Sequence, residues 1–124
     1  MKWKKAPSEL VDMIDEAMTP FDCQRRLMFG YPAFFVNNNM FAGLHRDSMI
    51  IRLSESDRER IVSDFDEATI FEPMPGRKMK EYIELPEAVY GDSRLLDAWL
   101  KRSFDFASAL PLKEPKKKRP ASPV

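Results

Sequence analysis

Catalysis at neutral pH needs a nucleophile, a proton carrier or a metal ligand, and this chain is sparing with each. Its 124 residues include one cysteine, Cys23, and one histidine, His45. A Ser–His–Asp or Cys–His arrangement could be built only on His45. A general base there would need a hydrogen-bonded orienting group, and the plainer reading is a turn residue at a strand end. A His/Cys zinc site needs more N and S ligands than these two residues supply. Cys23 reads as a small apolar residue, because a reactive thiol requires a lowered pKa. Asp57, Glu59, Asp64, Asp66 and Glu67 crowd one stretch. Acid–base work would need two of them in a cleft with separated pKa values; a solvated helix face is the simpler expectation. A small-ligand pocket would have to draw on His45, Arg77 or Tyr82.

The remaining candidates are basic. Arg77, Lys78 and Lys80 cluster beside Gly76, as a solvated loop or as an anion or acidic-partner site. Lys116, Lys117, Lys118 and Arg119 form a run with no interleaved aromatics. That excludes base stacking but suits phosphate contact that weakens with salt. The four glycines, at 30, 43, 76 and 91, make neither a GxGxxG nor a Walker-type loop. No cofactor or metal is expected.

Lys+Arg and Asp+Glu both number 20, so the formal net charge is zero. The balance hides a division. Residues 1–7 carry +3 and the last fifteen carry +4, which leaves −7 for the stretch between. Neutrality argues against a folded surface that coats nucleic acid, but not against a basic tail that touches phosphate. The lone cysteine permits no internal disulfide and suits a reducing cytoplasm. The longest apolar runs are four or five residues, far below the roughly 20 needed to span a bilayer, so no membrane partner is expected. The basic start MKWKKAPSEL has no apolar core of the secretory kind.

The elements that must position these residues follow from spacing. Ser8 can cap a helix over 9–18, whose apolar positions Leu10, Val11, Ile14, Ala17 and Met18 share one face. The period then changes to short strands at 25–29, 33–36, 40–44 and 49–53. They are broken by Gly30-Tyr31-Pro32, Asn37-Asn38-Asn39 and Arg46-Asp47-Ser48. Connections this short join antiparallel neighbours. Ser54 or Ser56 opens a second helix, with Ser56 and Glu59 fitting a capping box and Ile61, Val62 and Phe65 as its stripe. Strands follow at 69–71 and 79–85, separated by the loop Pro73-Met74-Pro75-Gly76. Asp92 caps a last helix to about 109, its broad apolar face anchored by Trp99 and Phe106. The fold class is therefore α+β: a two-layer domain with an antiparallel sheet of about five to six strands and helices packed on one face. The other face stays wet or is buried by a partner. Three segments result: a basic extension at 1–7, a domain at 8–110, and a Pro/Lys-rich tail at 111–124 expected to be disordered.

Four stretches carry a resemblance: RLMFGYPAFFV at 26–36, NMFAG at 39–43, PMPGRKMKEYIEL at 73–85 and LLDAWLKRSFDFASAL at 95–110. Met28-Phe29-Gly30, Met40-Phe41-Ala42-Gly43, the Gly76–Tyr82 strand and Ala98-Trp99, in that order, resemble the N-terminal domain of the TfoX/Sxy family. The resemblance implies a compact α+β domain ordered helix, three or four strands, helix, two strands, helix. Full-length members add a C-terminal domain and regulate natural competence in bacteria with a cyclic-AMP-responsive activator. Here a basic tail stands where that domain would begin.

The function expected is a non-catalytic interaction or regulatory module. It would bind a protein partner or a second copy of itself through Tyr31, Phe34 and Phe35. The alternatives are a weak nucleic-acid accessory acting through Arg77, Lys78, Lys80 and Lys116–Arg119, and, more remotely, a small-ligand binder or enzyme.

Overall fold

The structure, a computed structural model, describes residues 8–28 and 30–111. Phe29, the extension at 1–7 and the tail from 112 lie outside these residues, whereas Gly30 makes the expected turn with φ 84°. Helix α1 (Ser8–Met18) turns Leu10, Ile14 and Met18 inward, the face its spacing predicts. Strands β1 (Gln24–Met28), β2 (Tyr31–Val36), β3 (Asn39–His45) and β4 (Ser48–Arg52) follow as an antiparallel meander. Asn37 and Asn38 both take positive φ, 52° and 61°. That is the two-residue turn whose twist matches the flanking strands. Arg46 does the same at the next turn, φ 58°. Tyr31 and Pro32, expected in a bend, instead open β2.

Helix α2 (Glu55–Asp64) is capped by Ser54, whose hydroxyl accepts from the Asp57 amide at 3.3 Å. The Ser56–Glu59 box expected from the sequence is thus not the cap. Ile61 is buried on α2, whereas Val62 is 43% exposed, so the stripe is narrower than expected. Strands β5 (Thr69–Met74) and β6 (Arg77–Leu85) form a hairpin, then come a single turn α3 (Glu87–Tyr90) and the long helix α4 (Ser93–Ser108). Asp92 caps α4 through the amides of Arg94 and Leu95. Pro73 and Met74 belong to β5, not to a loop. Proline is tolerated there because β5 is an edge strand.

The six strands form one sheet ordered β1-β2-β3-β4-β6-β5, with every neighbouring pair antiparallel. One core cluster joins Ile14 of α1, Ile61 of α2 and Leu96, Trp99, Leu100 and Ala107 of α4 to Phe34, Phe41, Ile51 and Ile83 of the sheet. Phe104, not Phe106, reaches the aromatic centre of this layer. Its ring lies 5.1 Å from Phe21 and 5.4 Å from Phe41.

Two departures from regular pairing shape everything below. Phe34 pairs with Ala42 but Phe35 pairs with Met40, so Phe41 has no partner on β2. This bulge lets Phe41 and Ala42 both join the helix-side core. The second departure is in the β5–β6 hairpin. Its register slips between Ile70 and Phe71 and again between Phe71 and Met74. The hairpin tip therefore bends out of the sheet plane, on the side away from the helices.

Candidate functional site

The bent hairpin makes a cleft on the open face of the sheet. Pairing rows place Met28 with Tyr31, Ala33 with Gly43, and Gly43 with Ile50; side chains opposite one another share a face. Phe71 and Met79 arrive from the hairpin and face these residues across a pocket of about 200 Å³. Leu44, Met40 and Pro73 complete an almost wholly apolar wall. Met28 and Met79 are each 39% exposed at its rim. Methionine is the residue suited to such a place, being unbranched, polarizable and adaptable.

Gly43 lies between two lining residues, Ala33 and Ile50, its partners on the neighbouring strands. A Cβ there would sit 3.0 Å from Met40 Cε, 3.1 Å from the Pro32 carbonyl oxygen and 3.3 Å from Ala33 Cα. The glycine is needed for close approach of β2 to β3. Gly43→Ala is expected to lower stability by about 1–2 kcal/mol, measured by urea unfolding. An unchanged midpoint would show that the strands have room to spare.

His45 lies in the same wall. Its ring centroid is 5.7 Å from Tyr31 and 5.2 Å from Phe71. Burial pushes its pKa below the usual 6.5, with the Arg46 cation adding to the effect and Glu84 and Asp47 opposing it. The unfolded chain therefore takes up a proton near pH 6.5 before the folded one does. Folded stability contributed by neutral His45 is complete above that pH and is lost as pH falls through the window below it. As the chain has a single histidine, its imidazole signal can be followed alone by proton NMR. The midpoint should lie below 6.5, and His45→Gln should flatten the fall in stability between about pH 7 and 5. A midpoint above 6.5 would contradict the burial argument.

The expected site residues are dispersed. Tyr31 is 6% exposed and belongs to the cleft wall. Phe34, 2% exposed, fills the helix-side core beside Ala42 and offers no face to a partner. Phe35 pairs with Met40 on the open face, but Arg26 stacks over its ring at 4.5 Å. That guanidinium also donates to Gln24 and Asn38. Arg77, Lys78 and Lys80 are exposed on β6, in a strand rather than a loop. Lys116–Arg119 lie outside the described residues.

The cleft takes in His45 but neither Arg77 nor Tyr82 among its lining residues. Tyr82 instead donates its hydroxyl to the Met40 carbonyl at 3.0 Å, and burial raises its pKa. Burial, aided by Asp22, likewise raises the Cys23 thiol pKa, which keeps it protonated and unreactive. On α2, Asp57 pairs with Arg102 at 2.9 Å and Asp64 with Arg60 at 3.7 Å. Among the described residues no cluster of three His, Cys, Asp or Glu is placed to hold a metal. No helix of the described residues is long and apolar enough to cross a membrane.

Read as a loop, the 73–76 stretch hides the hairpin wall of the cleft, which the sequence alone therefore does not show. The legible signal was period two: Phe34 and Phe35 are adjacent on a strand and must point to opposite faces. One ring of that pair had to face away from the helices.

No curated protein matches the chain. The family model of the TfoX N-terminal domain matches residues 10–107. Those limits coincide with the first buried residue of α1, Leu10, and the last of α4, Ala107. The matched span thus takes in the six-stranded sheet, the core helices and the cleft, and the chain belongs to the TfoX N-terminal domain family.

Proposed function

We propose that this domain is a non-catalytic interaction module that holds a protein partner, or a second copy of itself, against the open face of the sheet. The cleft between β2–β3 and the bent hairpin carries this reading. It is an apolar, methionine-rimmed concavity left uncovered by the helices, and such surfaces mark interaction sites. The non-catalytic part is supported by the lining. Its imidazole faces the rings of Tyr31 and Phe71, and no carboxylate or thiol lines the pocket with it. Family membership supports a regulatory role, with transcription regulation in bacterial competence as the setting and the cytoplasm as the compartment.

The test is photo-crosslinking in cells with the full chain. A photoreactive residue replaces Met74 at the exposed hairpin tip or, as a control, Lys101 on α4. A discrete crosslinked species is expected from position 74 and not from 101, and its mass separates a second copy from another protein. Adding Met79→Glu, which puts a charge at the cleft rim, should reduce it several-fold. Absence of any species from position 74, or equal products from both positions, would overturn the proposal.

A further inference from the structure

We propose that the cleft accepts one aromatic side chain of an acidic partner segment, the ring entering between Met40, Phe71 and Met79 and a neighbouring carboxylate meeting Arg77 at the mouth. This rests on the docking reading above and adds the chemistry of what docks.

Size fixes the first part. The pocket holds about 200 Å³. An apolar cavity of about 150 Å³ takes up benzene, whereas sites for drug-sized ligands begin near 300 Å³. One ring fits and little more. The wall suits a ring as well, because the His45 and Phe71 centroids stand 5.2 Å apart at 70° and the thioethers beside them adapt to varied shapes.

Charge fixes the second part. A carboxylate inside this lining would lose its water without replacement, so negative groups must stay at the mouth. Met79 lines the cleft, and Arg77, two residues away on the same strand, lies on the same face. Lys78, next to Met79, alternates to the opposite face, so Lys78 and Lys80 add positive charge to the hairpin rather than contacts inside the cleft. Five other surface cations are already engaged: Arg25 with Asp15, Arg52 with Glu81, Arg60 with Asp64, Lys101 with Asp105 and Arg102 with Asp57. Among the described residues no carboxylate pairs with Arg77, Lys78 or Lys80. Arg77 offers one open cation at the mouth, and Lys78 and Lys80 raise the positive potential of the whole hairpin. They suit a segment with several acidic residues around the ring.

The probe is the capped peptide Glu-Asp-Phe-Asp-Glu, titrated into the full chain carrying 13C-methyl methionine. The acidic peptide is expected to move the methyl signals of Met28, Met40 and Met79 with a Kd on the order of 1 mM. Replacing its Phe by Ala should abolish the shifts. An analogue with Lys in place of its acids should bind about fivefold more weakly, as expected for exposed ion pairs. Arg77→Glu should remove that preference. If acidic and basic peptides move the methyls equally, the charge assignment falls while the docking site stands. If no Phe-containing peptide moves them, the ring pocket falls, whatever the crosslink from position 74 shows.

Discussion

Phe41→Ala will lower the free energy of unfolding by about 3–5 kcal/mol, read as a large drop in the urea midpoint. Phe41 is fully buried. Its ring lies 6.5 Å from Phe21 at 67° and 5.4 Å from Phe104 at 77°, both edge-to-face, and Phe21 and Phe104 close the triangle at 5.1 Å. Truncation removes the buried area of one ring and two pair contacts, each worth about 0.5–1.5 kcal/mol beyond area. It also opens a cavity shared by three separate parts of the chain: the α1–β1 connection, β3 and α4. These cannot all close in without shifting the sheet, so collapse recovers little. Small domains hold only about 5–15 kcal/mol in total, so the variant should sit at the edge of folding. Phe41→Leu, which keeps most of the volume, is the graded control and should lose less than half as much. A loss under 1 kcal/mol for Phe41→Ala would show that the triangle is loosely packed.

The second large effect concerns the same residue's backbone. Having no partner on β2, Phe41 relies on a side chain. Ser103 of α4, fully buried, donates its hydroxyl to the Phe41 carbonyl at 2.7 Å. A step earlier, Tyr82 donates to the Met40 carbonyl at 3.0 Å. The bulge thus leans on two donors from different elements, Tyr82 of β6 and Ser103 of α4. Ser103→Ala leaves a buried carbonyl unsatisfied and should cost about 1–3 kcal/mol. Tyr82→Phe removes the neighbouring bond and should cost about 1 kcal/mol. Because both hold one distortion, the double variant should depart from additivity by at least about 0.5 kcal/mol. Strict additivity in denaturant unfolding would mean that the two bonds act independently and that the bulge does not need them jointly.

How much of this was legible depends on the range of the cause. The Asn37–Asn38 turn, the Asp92 cap and the inward faces of α1 and α4 are set by neighbouring residues, and the spacing shows them. The Ser54 cap was ambiguous because Ser56 offers the same chemistry two residues later. Pro73 read as loop because proline cannot serve a central strand; only the sheet order reveals that β5 is an edge. The hairpin's bend is set by register slips between β5 and β6, which leave no mark on either strand alone. His45 looked like a turn residue for the same reason, since Phe71 comes from the far edge of the sheet.

The strand order has a kinetic consequence. The meander β1–β4 closes through three short connections, and β5–β6 is a single hairpin, so each can form from near neighbours in the chain. Joining them requires β6 to find β4, a pairing that sets Ile50 opposite Glu84 and lets the Ser48 hydroxyl, 36 positions away, donate to the Glu84 carboxylate at 2.7 Å. Loop closure of that length must precede its reward. Assembly of this domain is therefore expected to divide into two fast local pieces and one slower docking event across the β4–β6 seam.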